Sequence, residues 1–569
     1  TINYNNLYEN SGSYDLRSYV TYQEVDARYN YWGLTSTAIM GIATNPKDMP
    51  RIYDYHDNVS YSLVNYAAWL DQTGGTPVQG TGTTGTAGLT NSSYTATTYY
   101  ESSDTSVYME VTDADLNTSA SSADTATVAV VSDTETAGGV SESVTLTETG
   151  ADTGVFRGSI ALSVGGSAAS DGTLAAAVGD TVTLTYQDAA NDWGSAVTVS
   201  SAATMVGTIV VGSIGNTTWS TAGAPYLIIG DVTVLSNTTL TIEPGVTVLF
   251  LAGTDLLQSG DFNDRSELVI NGTLTAEAAT STNPIVFTSS AQTPAARDWG
   301  TIRFNAGAGG SLKYCEINAA SYGIYTYGNN ANPTIDNCTI SNNSSSGVYA
   351  DYYSAPTITN STITNNQYGI RTQDYAVPIV TDSIISNNSS YGIYGGNCCW
   401  AGGITIATST ISNNSGTGIY LTAPRKAVTI TNSIISNNSG QGIAFSYARS
   451  GSSLTVTNNT ISNNSGTGIQ ISNPQTALAF TIANNTISNN SGDGLYYQNS
   501  SIDYVSSPLP SITYNTITGN SSDGIELNGS HSVATINYNN LYENSGSYDL
   551  RSSVTAQEVD ARYNYWGLT

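Results

Sequence analysis

A short repeat in the second half of the chain is the feature that most limits its fold. Each copy has two short β-branched runs separated by a polar Asn-Asn corner. Successive copies start 22 to 31 residues apart. One copy cannot bury an apolar face, but stacked copies can. Helical solenoids are excluded, because no apolar spacing of three and four residues persists. The copies start at Thr334, Thr357, Ile379, Ile404, Val428, Leu454, Phe480, Ser511 and Ala534.

Stacking places equivalent side chains above one another, about 4.8 Å apart. The first apolar column is Ile340, Ile363, Ile385, Ile411, Ile435, Ile461, Ile487 and Ile517. The second is Val348, Ile370, Ile393, Ile419, Ile443, Ile469, Leu495 and Ile525. Corner asparagines tolerate the left-handed backbone of a sharp bend, and inward-facing amides can bond along the axis. Their column is Asn343, Asn366, Asn388, Asn414, Asn438, Asn464, Asn490, Asn520 and Asn544.

This pattern resembles the right-handed parallel β-helix of the pectate-lyase-like superfamily, as found in many bacterial and archaeal surface proteins. The stretches at 239–248 (TLTIEPGVTV) and 267–276 (ELVINGTLTA) look like its first coils. Residues 561–567, and their copy at 27–33, look like its closing segment. The resemblance implies an all-β chain with a β-helix over residues 206–569. It is specific for fold and weak for function.

The two ends of the chain are nearly the same sequence. Residues 1–35 and 535–569 agree at 33 of 35 positions, with an offset of 534 residues. Only Tyr19/Ser553 and Tyr22/Ala556 differ. Such a repeat predicts that the chain is a window on a tandem array. The alternative is a local duplication of a capping hairpin. Residues 1–72 are therefore expected to form the last coils and cap of a β-helix.

The middle of the chain has a different pattern. Residues 73–97 are rich in Gly and Thr and are predicted to be a linker. Residues 98–205 contain short alternating runs with polar turns, which predict a β-sandwich. This stretch resembles Ig-like modules of large prokaryotic surface proteins, which carry a similar Thr-Glu-Thr-Gly and Thr-Gly-Val-Phe pair, here at 147–150 and 153–156.

Oxygen-bearing side chains recur at one strand end of this predicted sandwich. Carboxylate and amide oxygens are the ligands that Ca²⁺ prefers, so the group is a candidate calcium site. The alternative is a solvated turn in which Asp and Asn bond the backbone. The candidate ligands are Asp113, Asp115, Asn117, Asp188 and Asp192.

Charge and hydropathy restrict the partners. There are 44 acidic and 15 basic residues, a net charge of −29, although only 10% of residues are charged. Nucleic acid and anionic lipid would be repelled. No run of 18 apolar residues occurs, so no membrane span is expected. An uncharged polar surface with few lysines is what we expect of a secreted, extracellular β-protein.

Catalytic groups are sparse in the sequence. Asp493 and Asp523 fall in one column, one coil apart, at a spacing close to that of a retaining glycosidase pair. The same column carries Thr417, Gln441 and Thr467 in other coils, which favours a turn position over a catalytic one. His56 and His531 lie far apart in the sequence, against a histidine-based triad or zinc site. The sequence thus predicts no catalytic residues and no enzyme.

Two pairs of cysteines are present. Cys315 and Cys338 align in adjacent predicted coils and are disulfide candidates. The alternative is that both are small buried residues of the stack. Cys398 and Cys399 are adjacent in a loop, and a vicinal bridge, free thiols and links between subunits all stay open.

Tyrosine is the unusual aromatic residue of this chain, with 39 Tyr against seven Phe. Tyr combines an apolar ring with a polar tip, which suits contact surfaces. The alternative is that the rings cover loop cores. Candidate interface residues are Tyr322, Tyr325, Tyr327, Tyr349, Tyr352, Tyr353, Tyr368, Tyr375, Tyr391 and Tyr394.

Three functional hypotheses follow. The leading one is a non-enzymatic structural subunit or tandem-repeat segment of an extracellular filament, stalk or cell-surface fibre, with copies of itself as partners. The second is a surface adhesin that binds carbohydrate through its tyrosine-rich loops. The third is a polysaccharide lyase or hydrolase. Apart from Ca²⁺, no cofactor is expected.

Overall fold

The computed structural model describes residues 1–40, 48–75, 77, 83–191, 195–291, 293–396, 401–474, 478, 480–500, 509–555 and 557–567. The chain divides into two compact units, Thr1–Val206 and Gly207–Thr569. Among the described residues, no helix has the length and apolar character needed to span a membrane.

The second unit is a parallel β-helix with three ladders of strands. Two ladders join through the long strand Tyr226–Val234, whose two halves pair with Thr247–Phe250 and Leu268–Ile270. Together they form a 26-stranded sheet, and the third ladder is a 13-stranded sheet. Every recorded pairing in these described strands is parallel, as expected when each coil lies on the previous one.

The strands of the larger sheet are Thr208–Ile214, Tyr226–Val234, Thr247–Phe250, Leu268–Ile270, Ile285–Ser289, Ile302–Phe304, Cys315–Asn318, Ile324–Tyr327, Thr339–Ser341, Ser346–Asp351, Thr362–Thr364, Tyr368–Thr372, Ile384–Ser386, Ile393–Gly395, Thr410–Ser412, Ile419–Thr422, Ile434–Ser436, Ile443–Ser446, Thr460–Ser462, Ile469–Ser472, Thr486–Ser488, Leu495–Gln498, Thr516–Thr518, Ile525–Asn528, Asn540–Tyr542 and Leu550–Ser552. Those of the smaller sheet are Thr217–Trp219, Thr239–Ile242, Thr273–Glu277, Gly309–Lys313, Thr334–Asp336, Thr357–Thr359, Ile379–Thr381, Ile404–Ala407, Ala427–Thr431, Ser453–Thr457, Phe480–Ala483, Ser511–Thr513 and Thr535–Asn537. A short 3₁₀ turn spans Thr221–Gly223.

Both predicted apolar columns are confirmed. Ile411 pairs with Ile435, and Ile435 with Ile461, in successive coils. All three side chains are fully buried. Because side chains alternate along a strand, one inward residue per strand is enough to build a continuous core. The resulting stack forms a continuous apolar core inside the β-helix and fixes the register of each new coil.

The predicted asparagine column is confirmed as a buried hydrogen-bonded ladder. Asn414 Nδ2 donates to Asn438 Oδ1 at 2.9 Å, and Asn438 does the same to Asn464. The left-handed corner, however, was assigned to the wrong residue of the Asn-Asn pair. The preceding residue, such as Asn437 with φ of 56°, makes the bend, while Asn438 faces inward. Each asparagine of the pair therefore has a separate role.

A second ladder was missed by the sequence reasoning. At the other corner of each coil, Ser409 N donates to Ser433 Oγ at 3.1 Å, and Ser433 N to Asn459 Oδ1 at 2.9 Å. Further along, Asn485 Nδ2 donates to Asn515 Oδ1 at 2.9 Å. The position is Ser in the coils from Ser361 to Ser433 and Asn in those from Asn459 to Asn539, so no single repeated residue pointed to it.

Residues 1–75 of the first unit form stacked coils. Leu16–Arg17 pairs in parallel with Ile52–Tyr53, and Val25–Asp26 with Val64–Asn65. One helix spans Gly33–Met40. Their core contains Trp32, Met40, Met49, Ile52, Val64, Tyr66 and Trp69. Trp32 is 1% exposed, whereas Trp566, its equivalent in the second copy of the coil, is 45% exposed.

The rest of the first unit is a nine-stranded sheet. Its strands are Thr86–Thr90, Tyr99–Glu101, Ser106–Thr112, Thr125–Val131, Glu142–Glu148, Val155–Val164, Thr173–Ala176, Thr181–Asp188 and Val197–Val206, with a helix at Asp133–Gly138 and a 3₁₀ turn at Ala114–Leu116. The short alternating runs noted between residues 98 and 205 form strands, among them those at 107–111, 125–131, 144–148, 155–162 and 181–186. Thr86–Thr90 pairs with Ser106–Thr112, so the predicted linker at 73–97 contains a strand of the sheet. The Ig-like assignment stays a prediction.

Candidate active site

One outward-facing row of side chains runs along the second unit, here called the outer ladder. Its members pair in register from coil to coil. They alternate with the buried column that contains Ile370 and Ile419, so they point away from the core. The outer ladder is Arg303, Tyr325, Tyr349, Arg371, Tyr394, Tyr420, Ala444, Gln470, Tyr496, Glu526 and Arg551.

Three carboxylates converge near the end of the outer ladder. Asp493 and Asp523 precede successive strands, and Glu526 lies on the second of these strands. One oxygen of each lies within 4.8 Å of the others. Asp493 is 8% exposed and Asp523 is 3% exposed, while Glu526 is half-buried. The three residues form a carboxylate cluster on the outer face of the rod.

Backbone donors and one cation hold the carboxylate cluster. Asp523 N donates to Asp493 Oδ1 at 3.0 Å, and Tyr548 N donates to Asp523 Oδ1 at 3.0 Å. Arg551 Nη1 lies 3.7 Å from Asp523 Oδ2. A Cβ at Gly546 would lie 2.4 Å from Asp523 Oδ1, so glycine leaves the space that this carboxylate occupies. These contacts fix the orientation of the Asp523 side chain.

The environment of Glu526 favours its protonated form. Partial burial raises the pKa of Glu526, and the negative charges of Asp493 and Asp523 raise it further, against the opposing effect of Arg551. Burial also raises the pKa of the neighbouring Tyr496, and the charge of Glu526 adds to that. A carboxylic acid beside an oriented carboxylate is the arrangement of general acid and nucleophile in glycoside hydrolysis.

The other end of the outer ladder is aromatic and partly basic. Tyr325 and Tyr349 stack at 4.7 Å, and the Arg371 guanidinium lies 4.6 Å from the Tyr349 ring centre. Burial, followed by the charge of Asp351, raises the pKa of both tyrosines well above the usual value. Arg303 forms an ion pair with Asp261. Both phenols are therefore neutral and act as hydrogen-bond donors.

A cavity of about 420 Å³ opens beside this aromatic end. Phe262, Arg265 and Tyr322 are among its lining residues. Phe262 and Tyr322 lie 5.6 Å apart, and Tyr322 lies 5.4 Å from Tyr349. Arg265 Nη1 donates to Ser321 Oγ at 3.0 Å. The cavity and the aromatic end thus form one continuous surface.

The ten tyrosines singled out from the sequence lie in the described structure as stacked rows. Tyr327 stacks on Tyr352 at 5.5 Å, and Tyr353 on Tyr375 at 4.9 Å. Tyr368 stacks on Tyr394 at 4.9 Å. Tyr325, Tyr349 and Tyr394 are mostly covered, whereas Tyr327, Tyr352 and Tyr353 are exposed. The stacks account for the clustering of Tyr in the sequence, and their role as an interface stays a prediction.

The candidate calcium ligands of the first unit are held mainly by other protein groups. Asp113 Oδ1 accepts from Asp115 N, and its Oδ2 accepts from the Tyr186 hydroxyl. Asp188 Oδ2 accepts from Gly85 N at 2.9 Å. Burial raises the pKa of Asp115, with the charges of Asp113 and Asp188 contributing. Among the described residues, the group of three carboxylates close enough to share a cation is Asp493, Asp523 and Glu526 instead.

The other two predicted calcium ligands are Asn117 and Asp192. Asn117 Nδ2 donates to Asp152 Oδ1 at 2.9 Å, and the Asn117 Oδ1 atom is buried without a hydrogen-bond partner. Asp192 lies outside the described residues. Calcium binding at this site stays a prediction.

The disulfide predicted between Cys315 and Cys338 is wrong, because both are free, buried thiols. Cys315 Sγ points to Ala276 O at 3.3 Å and Cys338 Sγ to Leu312 O at 3.4 Å. Parallel stacking directs both side chains the same way along the coil, so each sulfur meets a carbonyl of an earlier strand. Burial raises the pKa of the Cys315 thiol. Cys398 and Cys399 lie outside the described residues.

Family models match most of the second unit. Residues 322–481 and 397–560 match a right-handed β-helix region, and residues 207–333 match a pectate-lyase-like β-helix domain. The chain is thus a right-handed parallel β-helix protein of the pectate-lyase-like kind, as its repeats predicted. No curated protein matches its sequence.

Several solved structures share this fold. The A-module of a mannuronan C-5 epimerase from Azotobacter vinelandii has 16% identity and a TM-score of 0.42, covering 58% of this chain and 91% of its own. A periplasmic alginate epimerase has 12% identity and a TM-score of 0.34, covering 63% and 85%. The catalytic unit of an α-1,3-glucanase from Streptomyces thermodiastaticus has 12% identity and a TM-score of 0.34, covering 85% and 94%.

These comparisons overturn two expectations. The prediction of a non-enzymatic filament or surface-fibre subunit, with no enzymatic activity, is wrong, because the similar solved structures are epimerases, a lyase and a glucanase. At these identities and TM-scores the likeness does not establish an activity, so the case for catalysis depends on the carboxylate cluster.

Sequence reasoning missed Glu526 and Arg551 as partners of Asp493 and Asp523. The column that contains the two aspartates was interpreted as a turn position, and no neighbouring side chains were assigned to it. Glu526 occupies the ladder position that is Tyr496 and Gln470 in earlier coils, and the register of the strands brings it beside the aspartates. Extending the repeat alignment by two residues past each Asp-Gly turn would have found it.

Proposed function

We propose that this chain is a polysaccharide hydrolase that acts on a neutral glycan laid along the outer ladder. The convergence of Asp493, Asp523 and Glu526 beside Arg551 carries the proposal. Hydrolysis of a glycosidic bond needs one protonated and one ionised carboxyl group on either side of the bond. The raised pKa of Glu526 suits the acid, and the backbone hydrogen bonds and Arg551 contact orient Asp523 as the second carboxyl group.

Each carboxyl group has a distinct role in this mechanism. Glu526 donates its proton to the glycosidic oxygen while Asp523 attacks the anomeric carbon, forming a glycosyl ester and releasing the leaving sugar. The Glu526 carboxylate then takes a proton from water, which attacks the ester and frees Asp523. The separation within 4.8 Å is close to the ~5–5.5 Å of retaining enzymes, so retention is expected. Asp493 is a positioning residue that accepts the Asp523 N–H.

The aromatic part of the outer ladder supplies the binding surface for the polymer. Tyr394 and Tyr420 lie between the carboxylate cluster and the aromatic end, with one ladder residue per coil, about 4.8 Å apart. These rings stack on neighbouring tyrosines, so their edges and hydroxyls are what they present to a sugar. A polymer that runs along the second unit therefore meets one ladder side chain per coil, with tyrosines at Tyr394, Tyr420 and Tyr496.

The charge of the chain favours a neutral substrate. At a net charge of −29, an anionic polymer is repelled at long range. Arg303, one of the cations on the outer ladder, is already paired with Asp261. We accordingly expect glucans or mannans to be better substrates than polyuronates, and we expect an extracellular or cell-envelope location, where such polymers occur.

Turnover of purified polysaccharides tests the proposal. The wild-type chain should release reducing ends from a neutral glycan, and Glu526→Gln and Asp523→Asn should each lower kcat at least about 100-fold. Glu316→Gln, an exposed carboxylate elsewhere on the same sheet, is the matched control and should retain full activity. An unsaturated product, or equal activity in all variants, would contradict the hydrolase mechanism.

The carboxylate cluster also has the donor set that Ca²⁺ prefers. The acid–nucleophile mechanism needs no metal, so chelation with EDTA should leave turnover unchanged. Loss of activity on chelation and recovery with Ca²⁺ would instead assign the cluster to cation binding.

A further inference from the structure

An aromatic cavity lies in the first unit, far along the chain from the carboxylate cluster. It has a volume of about 640 Å³, within the range of ligand sites. Tyr22, Tyr55 and Tyr61 contribute rings, and His56 and Glu24 contribute polar groups. None of these side chains has a role in the proposed hydrolysis.

The walls of this cavity are fixed by the coil structure. Ser62 N donates to Val20 O at 2.6 Å, and Val25 N donates to Leu63 O at 3.0 Å, so the two loops are held together. Tyr19 packs edge-on against Tyr61 at 5.2 Å. The Tyr61 ring is therefore braced from behind, while Tyr22 at the rim is 95% exposed. The packed aromatic ring of Tyr61 and the exposed aromatic ring of Tyr22 suit a ligand that enters from solvent.

The two positions at which the copies of the coil differ lie in this cavity or against it. Across 35 positions, the two substitutions are Tyr19/Ser553 and Tyr22/Ala556. Tyr22 lines the cavity, and Tyr19 packs against Tyr61, another lining residue. In the second copy Ser553 Oγ accepts from Gly529 N at 2.8 Å. Both differences give the first copy a tyrosine in the cavity or in contact with its wall, which is the observation that points to a ligand.

We propose that this cavity, the Tyr22 pocket, is a carbohydrate-binding site for a neutral glycan. Tyr rings stack on sugar C–H faces, while Gln23, Glu24 and His56 can bond to hydroxyl groups. The identity of the glycan rests on the proposed function, because the pocket would hold the same polymer that the outer ladder cleaves. It would anchor the substrate without taking part in catalysis.

Binding to the full chain tests the pocket separately from catalysis. The probes are glucose and mannose hexasaccharides, titrated calorimetrically into a Glu526→Gln background that prevents turnover. We expect two classes of site, one of which persists when the outer ladder is changed by Tyr394→Ala and Tyr420→Ala. In that ladder variant, Tyr22→Ala should weaken the remaining site about tenfold, the loss of one aromatic contact.

The sequence itself indicates variants that should preserve the fold. Alanine occupies the position of Tyr22 in the second copy, so Tyr22→Ala is compatible with this coil. Tyr4→Ala removes an exposed ring from the same coil outside the pocket and should leave binding unchanged. Unchanged affinity in Tyr22→Ala would overturn the proposal, as would binding of a proline-rich peptide and no sugar. Sugar binding that depends on Tyr22, together with no turnover of any neutral glycan by the wild-type chain, would refute the hydrolase and support the pocket.

Discussion

Asn438 donates twice to one oxygen of Asn464: its side-chain Nδ2 at 2.9 Å and its backbone N at 3.1 Å. The Asn438 amide in turn donates to Ile411 O at 3.2 Å and accepts from Asn414. A single buried side chain therefore completes hydrogen bonds of three neighbouring coils. The ladder links the coils at a corner where strand pairing has stopped.

Replacing Asn438 tests the strength of this ladder. Asn438→Ala leaves buried donors of Asn414 without an acceptor, so we expect a loss of about 2–4 kcal/mol in the free energy of unfolding. Urea unfolding followed by circular dichroism measures it. Asn437→Gly is the matched control, because it keeps the left-handed corner and removes no buried bond, and it should cost under about 1 kcal/mol. Equal losses in both variants would contradict the assigned roles.

The core of residues 1–75 depends on a buried tryptophan. Trp32 is fully packed in this core, so Trp32→Ala should destabilise this part by about 3–5 kcal/mol. Tyr22→Ala, at an exposed position of the same coil, is the control and should cost under about 1 kcal/mol. Hydrogen exchange measured by mass spectrometry on peptides from residues 1–40 and 48–75 reports the first change. Similar protection in both variants would show that Trp32 packing contributes little.

The pH profile of turnover should respond in opposite directions to two neighbours of Glu526. Burial and the charges of Asp493 and Asp523 raise the pKa of Glu526, so as general acid it should hold its proton to higher pH than an ordinary glutamate, and activity should be lost as pH rises through that pKa. Asp493→Asn removes a negative charge and should move the alkaline limb of kcat/KM to lower pH. Arg551→Gln removes a positive charge and should move it to higher pH. Shifts in the same direction would exclude Glu526 as the acid.

Glu267 predicts a pH dependence of stability. Burial, with the charges of Asp231 and Asp261, raises its pKa from 4.5 to about 8. The folded state then holds a proton that the unfolded chain has lost, so stability falls as pH rises from 4.5 towards 8. Glu267→Gln should flatten this fall in thermal melts measured across the range. A wild-type melting temperature that rises over the same interval would contradict the buried, protonated carboxyl.

Much of the fold could be predicted from the repeat. Ile411, Ile435 and Ile461 recur at equivalent positions, and a parallel stack is the arrangement that buries all of them. The Asn ladder followed from the same alignment. The ladder that passes from Ser433 to Asn459 did not, because two residue types share the position and both satisfy one N–H.

The candidate site was only half predictable. Asp493 and Asp523 were visible as a column, but their neighbours Thr417 and Gln441 in earlier coils made the column look like an ordinary turn. A single coil in a repeat can change its chemistry without changing its fold, because outward side chains are not constrained by the core. Candidate functional residues in such a chain are therefore found where outward side chains differ from the repeat, while the repeated inward side chains determine the fold.

The sequence by itself determined the architecture: the spacing of isoleucines and asparagines sets the coil, its register and its buried ladders. Only the tertiary structure decided which outward residues meet, bringing Glu526 and Arg551 to Asp523, and Tyr19 behind Tyr61. The reason is physical. Core positions repeat because every coil must bury the same face, whereas contacts on the outer face depend on side chains from different coils and loops.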